Sequence, residues 1–95
     1  MNINLSRLSR FVAVYRNKSF SRAANELGMT HSALTKSLQL LEQELGAELF
    51  NRTTRSVVPT DAGNRLAQRA EELLALADQI GDEVLTGTRH LRLIA

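Results

Sequence analysis

Apolar residues recur at steps of three and four through most of this chain. Leu5, Leu8, Phe11, Val12 and Tyr15 form one stripe and predict a first helix over about residues 4–17. Asn17-Lys18-Ser19 interrupts it. Phe20, Ala23, Ala24 and Leu27 then repeat the pattern on a shorter second helix, whose two alanines let another helix come close. Gly28 follows at once and tolerates the positive φ that a tight helix exit needs. Thr30 is a good N-cap for a third helix from about His31 to Leu45, with Leu34, Leu38, Leu41 and Leu45 as its buried stripe and Gly46 as its stop.

The period then changes. Leu49-Phe50-Asn51-Arg52 and Val57-Val58-Pro59 are short β-prone runs flanking the polar Thr53-Thr54-Arg55-Ser56, which predicts a small hairpin, or wing. Pro59 fits only an edge or a strand end and marks the best internal boundary. Thr60-Asp61 opens a last helix with a capping hydroxyl and a carboxylate at the positive end of its dipole. Along it Leu66, Ala70, Leu73, Ala77, Ile80 and Val84 keep heptad spacing. About 26 helical residues at ~1.5 Å each give ~39 Å, too long to bury against so small a domain. Most of that helix therefore needs a partner. Gly87 and Thr88 end it, and His90-Leu91-Arg92-Leu93-Ile94 alternates like a strand with no mate in sight. The expected organisation is a three-helix unit with its wing over residues 1–59, a long dimerisation helix over 60–87, and the start of a further domain over 88–95.

Composition narrows the class. Ninety-five residues suit one small domain, and no apolar run approaches the roughly 18 residues of a membrane span. Met1-Asn2-Ile3-Asn4 lacks the features of a signal peptide, and cysteine is absent. His31 and His90 are too far apart to suggest a metal site. These features point to a cytoplasmic protein without a membrane partner, a metal or a cofactor of its own. The net charge of +2 is unevenly spread. Residues 1–59 hold eight Arg/Lys and four Asp/Glu, a balance of +4, while residues 60–95 hold four and six, a balance of −2. A basic front suits a polyanion.

Two short helices joined through Gly28 follow the helix-turn-helix plan, in which the second helix enters the DNA major groove by its N-terminal turns. Those turns carry Thr30, His31, Ser32, Thr35 and Lys36, all polar and all off the leucine stripe. Hydroxyls can bond base edges or phosphates, and a lysine can reach guanine acceptors. An ordinary solvated helix face would carry the same residue types, and both readings stand at this point.

The ordered set of motifs resembles the N-terminal domain of LysR-type transcriptional regulators. Phe11-Val12-Ala13-Val14 precedes Ser19-Phe20-Ser21-Arg22-Ala23-Ala24. Leu27 and Ser32-Ala33-Leu34-Thr35-Lys36 follow. Leu41-Glu42-Gln43-Glu44-Leu45-Gly46-Ala47-Glu48-Leu49-Phe50-Asn51-Arg52 then leads into Thr60-Asp61-Ala62-Gly63. The similarity covers roughly residues 3–87. It implies a mainly α winged helix-turn-helix, three helices plus a two-stranded wing, followed by a long dimerisation helix. It implies double-stranded DNA as partner, a homodimer through the linker helix, and higher oligomers of a full-length protein. A small-molecule effector is expected for a domain beyond this chain.

Residue by residue, the resemblance carries base reading to His31, Ser32, Thr35 and Lys36. It carries minor-groove entry to Arg55, with Arg52 nearby. Thr30, Ser21, Arg22, Lys18, Arg7 and Arg10 are candidates for the DNA backbone; Ser21 and Arg22 begin the second helix, whose N-terminus suits an anion. For Arg7 and Arg10 a plain solvated face is the alternative, and Arg52 could instead pair with Glu42 or Glu48. Dimerisation falls to Leu66, Ala70, Leu73, Ala77, Ile80 and Val84. Two positions depart from the family habit: His31 stands where Gln or Pro is frequent, and Lys36 where Arg is frequent. Lysine lacks the bidentate guanidinium fork, so its base reading is less exacting. Phe11, Phe20, Phe50 and Tyr15 are expected in the core.

Enzymatic activity is not expected, because no nucleophile–base pair or phosphate-binding glycine loop is present. The rival is a winged-helix protein–protein interaction module. Such a face should carry exposed aromatics or large aliphatics rather than the polar, basic tip at residues 30–36.

Overall fold

A computed structural model of the chain describes residues 3–52 and 57–86. Four helices and one hairpin follow in the order α1 (Leu5–Asn17), α2 (Phe20–Leu27), α3 (His31–Leu45), β1 (Phe50–Arg52), β2 (Val57–Pro59) and α4 (Asp61–Thr86). The mainly α winged arrangement matches the expectation from the sequence.

Each helix begins where a short polar side chain can accept from the backbone. Asn4 Oδ1 accepts the Arg7 N–H at 3.1 Å, Ser19 Oγ that of Arg22 at 3.1 Å, Thr30 Oγ1 that of Ala33 at 3.1 Å and Thr60 Oγ1 that of Gly63 at 3.0 Å. Each satisfies one of the donors a helix start leaves open. The helix ends differ. α2 closes on Gly28 at φ +67, a conformation without steric cost only for glycine, and this makes the abrupt turn into α3 possible. α1 closes on Lys18 at φ +52, where a side chain is normally disfavoured. Its ammonium donates to the Tyr15 carbonyl at 2.7 Å and lies 4.1 Å from the Tyr15 ring centroid, which offsets part of that strain.

The core forms where α1, α2 and α3 meet. Leu8, Phe11 and Val14 face Ala23, Ala24, Leu34, Leu38 and Leu41, all buried. The two alanines are the small residues that let α2 approach. Leu49 and Phe50 close the base, with the Phe50 ring 5.3 Å from Phe11 and 6.1 Å from Phe20. Tyr15 is only half-buried at the edge, and its hydroxyl donates to Asn64 Oδ1 at 2.8 Å, tying α1 to α4.

β1 and β2 pair antiparallel, with Phe50 opposite Pro59, Asn51 opposite Val58 and Arg52 opposite Val57. At their base Thr60 links three elements. Its amide donates to the Leu49 carbonyl at 3.0 Å, and its hydroxyl donates to the Glu48 carbonyl at 2.6 Å while capping α4. The first turn of α4 passes so close to the residue before β1 that a Cβ on Gly63 would collide with the Leu49 carbonyl oxygen. Glycine is needed there for space, not for its φ.

Candidate nucleic-acid interface

α3 is anchored on one side by Leu34, Leu38 and Leu41, none of which reaches solvent. At about 100° per residue, these leave an outward stripe of Ser32, Lys36, Gln39 and Gln43, all exposed. Ser32 and Lys36 make no side-chain hydrogen bond or ion pair within the described residues. Thr30 is exposed at the start of the helix with its hydroxyl held by the cap.

His31 and Thr35 sit at one margin of that stripe. His31 is exposed, but its ring lies 5.8 Å from the Phe20 ring, and Nδ1 is 3.4 Å from Thr35 Oγ1. Thr35 is half-buried. The imidazole thus lies between a core aromatic and the Thr35 hydroxyl, with only a long contact to the latter.

The basic residues divide into two sets. Arg10 runs beneath α3, where Nη1 donates to the buried Ser37 hydroxyl at 3.1 Å. Arg7 pairs with Glu44 at 3.0 Å. Both brace α1 against α3, which the sequence alone could not display, since the partners lie 27 and 37 positions away. Lys18 is engaged with Tyr15 as described above. Ser21 and Arg22, by contrast, are exposed at the start of α2, with their side chains unpaired among the described residues. The wing strands are in place, but Arg55 lies outside the described residues, as does the side chain of Arg52.

α4 presents two different faces in its two halves. Ala67 and Ala70 are buried in the domain, at 3% and 1% exposure, and Leu66 and Leu74 pack partly against the same core. Ala70 and Leu66 therefore serve their own chain first. Beyond residue 72, Leu73, Leu76, Ile80 and Val84 stand exposed, with Ile80 at 53% and Val84 at 75%, and Ala77 lies on the same side. Leu76 was missed in the sequence reading. It is three residues after Leu73 and four before Ile80, so its spacing signal was present. Among the described residues no helix is long and apolar enough to cross a membrane.

These elements define a winged helix-turn-helix with a long trailing helix. Residues 5–64 match the family model of the bacterial regulatory helix-turn-helix proteins of the lysR family, and the chain belongs to that family. YcaN of Escherichia coli (strain K12), described as an uncharacterized HTH-type transcriptional regulator, is 43% identical over 99 residues, covering 100% of this chain and 33% of its own length. Among solved structures, the BenM DNA-binding domain in complex with benA site 1 DNA superposes with a TM-score of 0.84 at 36% identity, over 88% of this chain and 94% of that one. A full-length OxyR variant from Pseudomonas aeruginosa gives 0.86 at 27% identity, over 90% of this chain and 29% of its own. The chain spans a third or less of the curated relatives it matches, 33% of YcaN and 24% of YfeR from Shigella flexneri.

Proposed function

We propose that this chain is the DNA-binding part of a sequence-specific transcription regulator. The observation that carries the reading is the face of α3: three buried leucines fix the helix, and the opposite side offers Ser32 and Lys36 free of internal partners. The likeness to a domain bound to DNA supports the same conclusion. α3 enters the major groove with His31, Ser32, Thr35 and Lys36 at the base edges, His31 and Thr35 lying side by side. Ser21 and Arg22 take a phosphate at the start of α2. Arg55, with Arg52, enters the minor groove from the wing. Arg7 and Arg10 contribute mainly by bracing α3, and their charge adds to the positive field. No exposed aromatic or large aliphatic residue lies on the outward stripe of α3, which disfavours a protein-docking role.

Two copies pair through the open face of α4. By the family resemblance the helices run antiparallel and place one winged domain at each end. Two copies of α3 then meet successive major grooves on one side of the duplex, and the operator is an interrupted inverted repeat. For residues 88–95, which lie outside the described residues, the family resemblance implies the start of an effector-binding domain, and the regulator works in the cytoplasm, with no catalytic role.

The test is a gel shift against promoter fragments across a salt series. Lys36→Ala weakens specific binding by roughly 1–3 kcal/mol if the lysine contacts a base. Unchanged affinity together with unchanged base preference would remove α3 from the groove.

A further inference from the structure

Ser32, Lys36, Gln39 and Gln43 fall within about 60° of one another around α3 and face directly away from its buried leucines. The stripe is therefore longer than the two N-terminal turns. Gln39 is exposed, and its amide makes no hydrogen bond within the described residues. From Ser32 to Gln39 the helix rises about 10 Å, or about three base-pair steps at 3.4 Å.

Charge sets where the stripe stops being useful. Glu42 and Glu44 lie off it and are turned elsewhere: Glu42 Oε2 accepts the Leu49 amide at 2.8 Å, and Glu44 pairs with Arg7. Gln39 borders a shallow hollow shared with Glu42 and Glu48. It is the last outward position before the end of α3 that carries Glu42 and is followed by the exposed Glu48, whose carboxylates disfavour an approaching phosphate backbone. An uncharged amide at that border can approach a base edge without adding repulsion. A glutamine amide presents one donor and one acceptor together, which matches adenine N7 and N6 in the major groove.

We infer that Gln39 is a further specificity-determining residue, reading an adenine beside the base pairs within reach of Lys36. This rests on the placement of α3 in the major groove proposed above. The reading surface then extends over three turns of α3. Its end is set by the change from basic and neutral to acidic side chains.

Binding-site selection from a randomised duplex pool tests this, using the parent chain and the variants Gln39→Ala, Gln39→Glu and Lys36→Ala. Alanine is a better helix former than glutamine, so helicity by circular dichroism stays at the parent level. The parent selects adenine at one position. Gln39→Ala lowers discrimination there roughly 5- to 150-fold and leaves the other positions intact. Gln39→Glu changes the preference at that position to cytosine, whose N4 amino group donates to a carboxylate. An equal loss of affinity on all sequences would make Gln39 a phosphate contact and overturn the inference, as would selection unchanged at every position. Lys36→Ala separates the two levels. If it relaxes a neighbouring position while Gln39→Ala relaxes none, the inference about Gln39 fails alone. If neither variant relaxes any position, the placement of α3 fails with it.

Discussion

α3 and the far half of α4 are both amphipathic helices, and each leaves one face uncovered. On α3 the apolar stripe is completed by the same chain, and what remains open is polar: Ser32, Lys36 and Gln39. On α4 beyond residue 72 the uncovered face is apolar: Leu73, Leu76, Ile80 and Val84. A hydrated polar face costs nothing to leave in water, and it becomes useful when a ligand replaces that water with matched acceptors. An apolar face of four large side chains costs free energy until something covers it. The first arrangement suits an optional, exchangeable ligand such as DNA. The second suits a permanent neighbour, and a second copy of the same helix offers the complementary row.

The largest expected effect comes from charging the open face of α4. Covering Leu73 and Ile80 fully would contribute roughly 1.5–3 kcal/mol each. Both are already about half covered in the single chain, so pairing adds about half of that, or roughly 3–6 kcal/mol over the four side chains of a dimer. Leu73→Asp with Ile80→Asp removes this and places carboxylates in the seam. The expected species is a helical monomer by light scattering, with operator binding lost in a gel shift. A charged variant that stays dimeric would show that another surface joins the copies.

The core beneath α3 comes next. Leu38 reaches no solvent and holds the helix from below, in line with the outward stripe. Leu38→Ala is expected to cost about 2–5 kcal/mol of stability, through lost burial and the cavity left behind. Urea titration measures it. Dimerisation is expected to survive at temperatures where the variant is folded, because Leu38 lies in the core and not on the open face of α4. A cost under about 1 kcal/mol would mean that α3 settles into the gap and is not rigidly held.

Much of this architecture is legible in the sequence because its signals are local. Thr30 and Gly46 bracket α3, Gly28 marks the turn before it, and the change of period at Leu49 announces the wing. What stayed hidden depends on distance in the chain. The partnerships of Arg10 with Ser37 and Arg7 with Glu44 join α1 to α3 and leave no periodic trace. Gly63 looks like one small residue among many until Leu49 is brought against it. The heptad stripe on α4 misleads in a specific way. Leu66, Ala70, Leu73, Ala77, Ile80 and Val84 form one row in sequence, yet the row leaves the core of its own domain between Ala70 and Leu73. Spacing records which residues share a face, not whether that face meets the chain's own core or another molecule.

The smallest effect tests where α4 leaves the core of its own domain. Thr60 joins the near half of α4 to the domain through three bonds: its amide to Leu49, its hydroxyl to the Glu48 carbonyl, and the Gly63 amide to its hydroxyl. Thr60→Ala keeps the first and removes the other two. Losing such a cap costs about 1 kcal/mol, and the Glu48 carbonyl can regain a water, since this bond lies near the surface. The expected result is a lower denaturation midpoint with an unchanged m value, because the fold and its exposed area on unfolding are the same. Thr60→Ser restores most of it, since the hydroxyl returns without the methyl. The dimerisation constant stays at the parent value, because Thr60 lies about five turns before the centre of the open face. A midpoint unmoved by Thr60→Ala would mean that the near half of α4 is held by its buried alanines alone. A weakened dimer with an unmoved midpoint would mean that the seam extends back to the start of the helix, and the division of α4 into two halves would have to be redrawn.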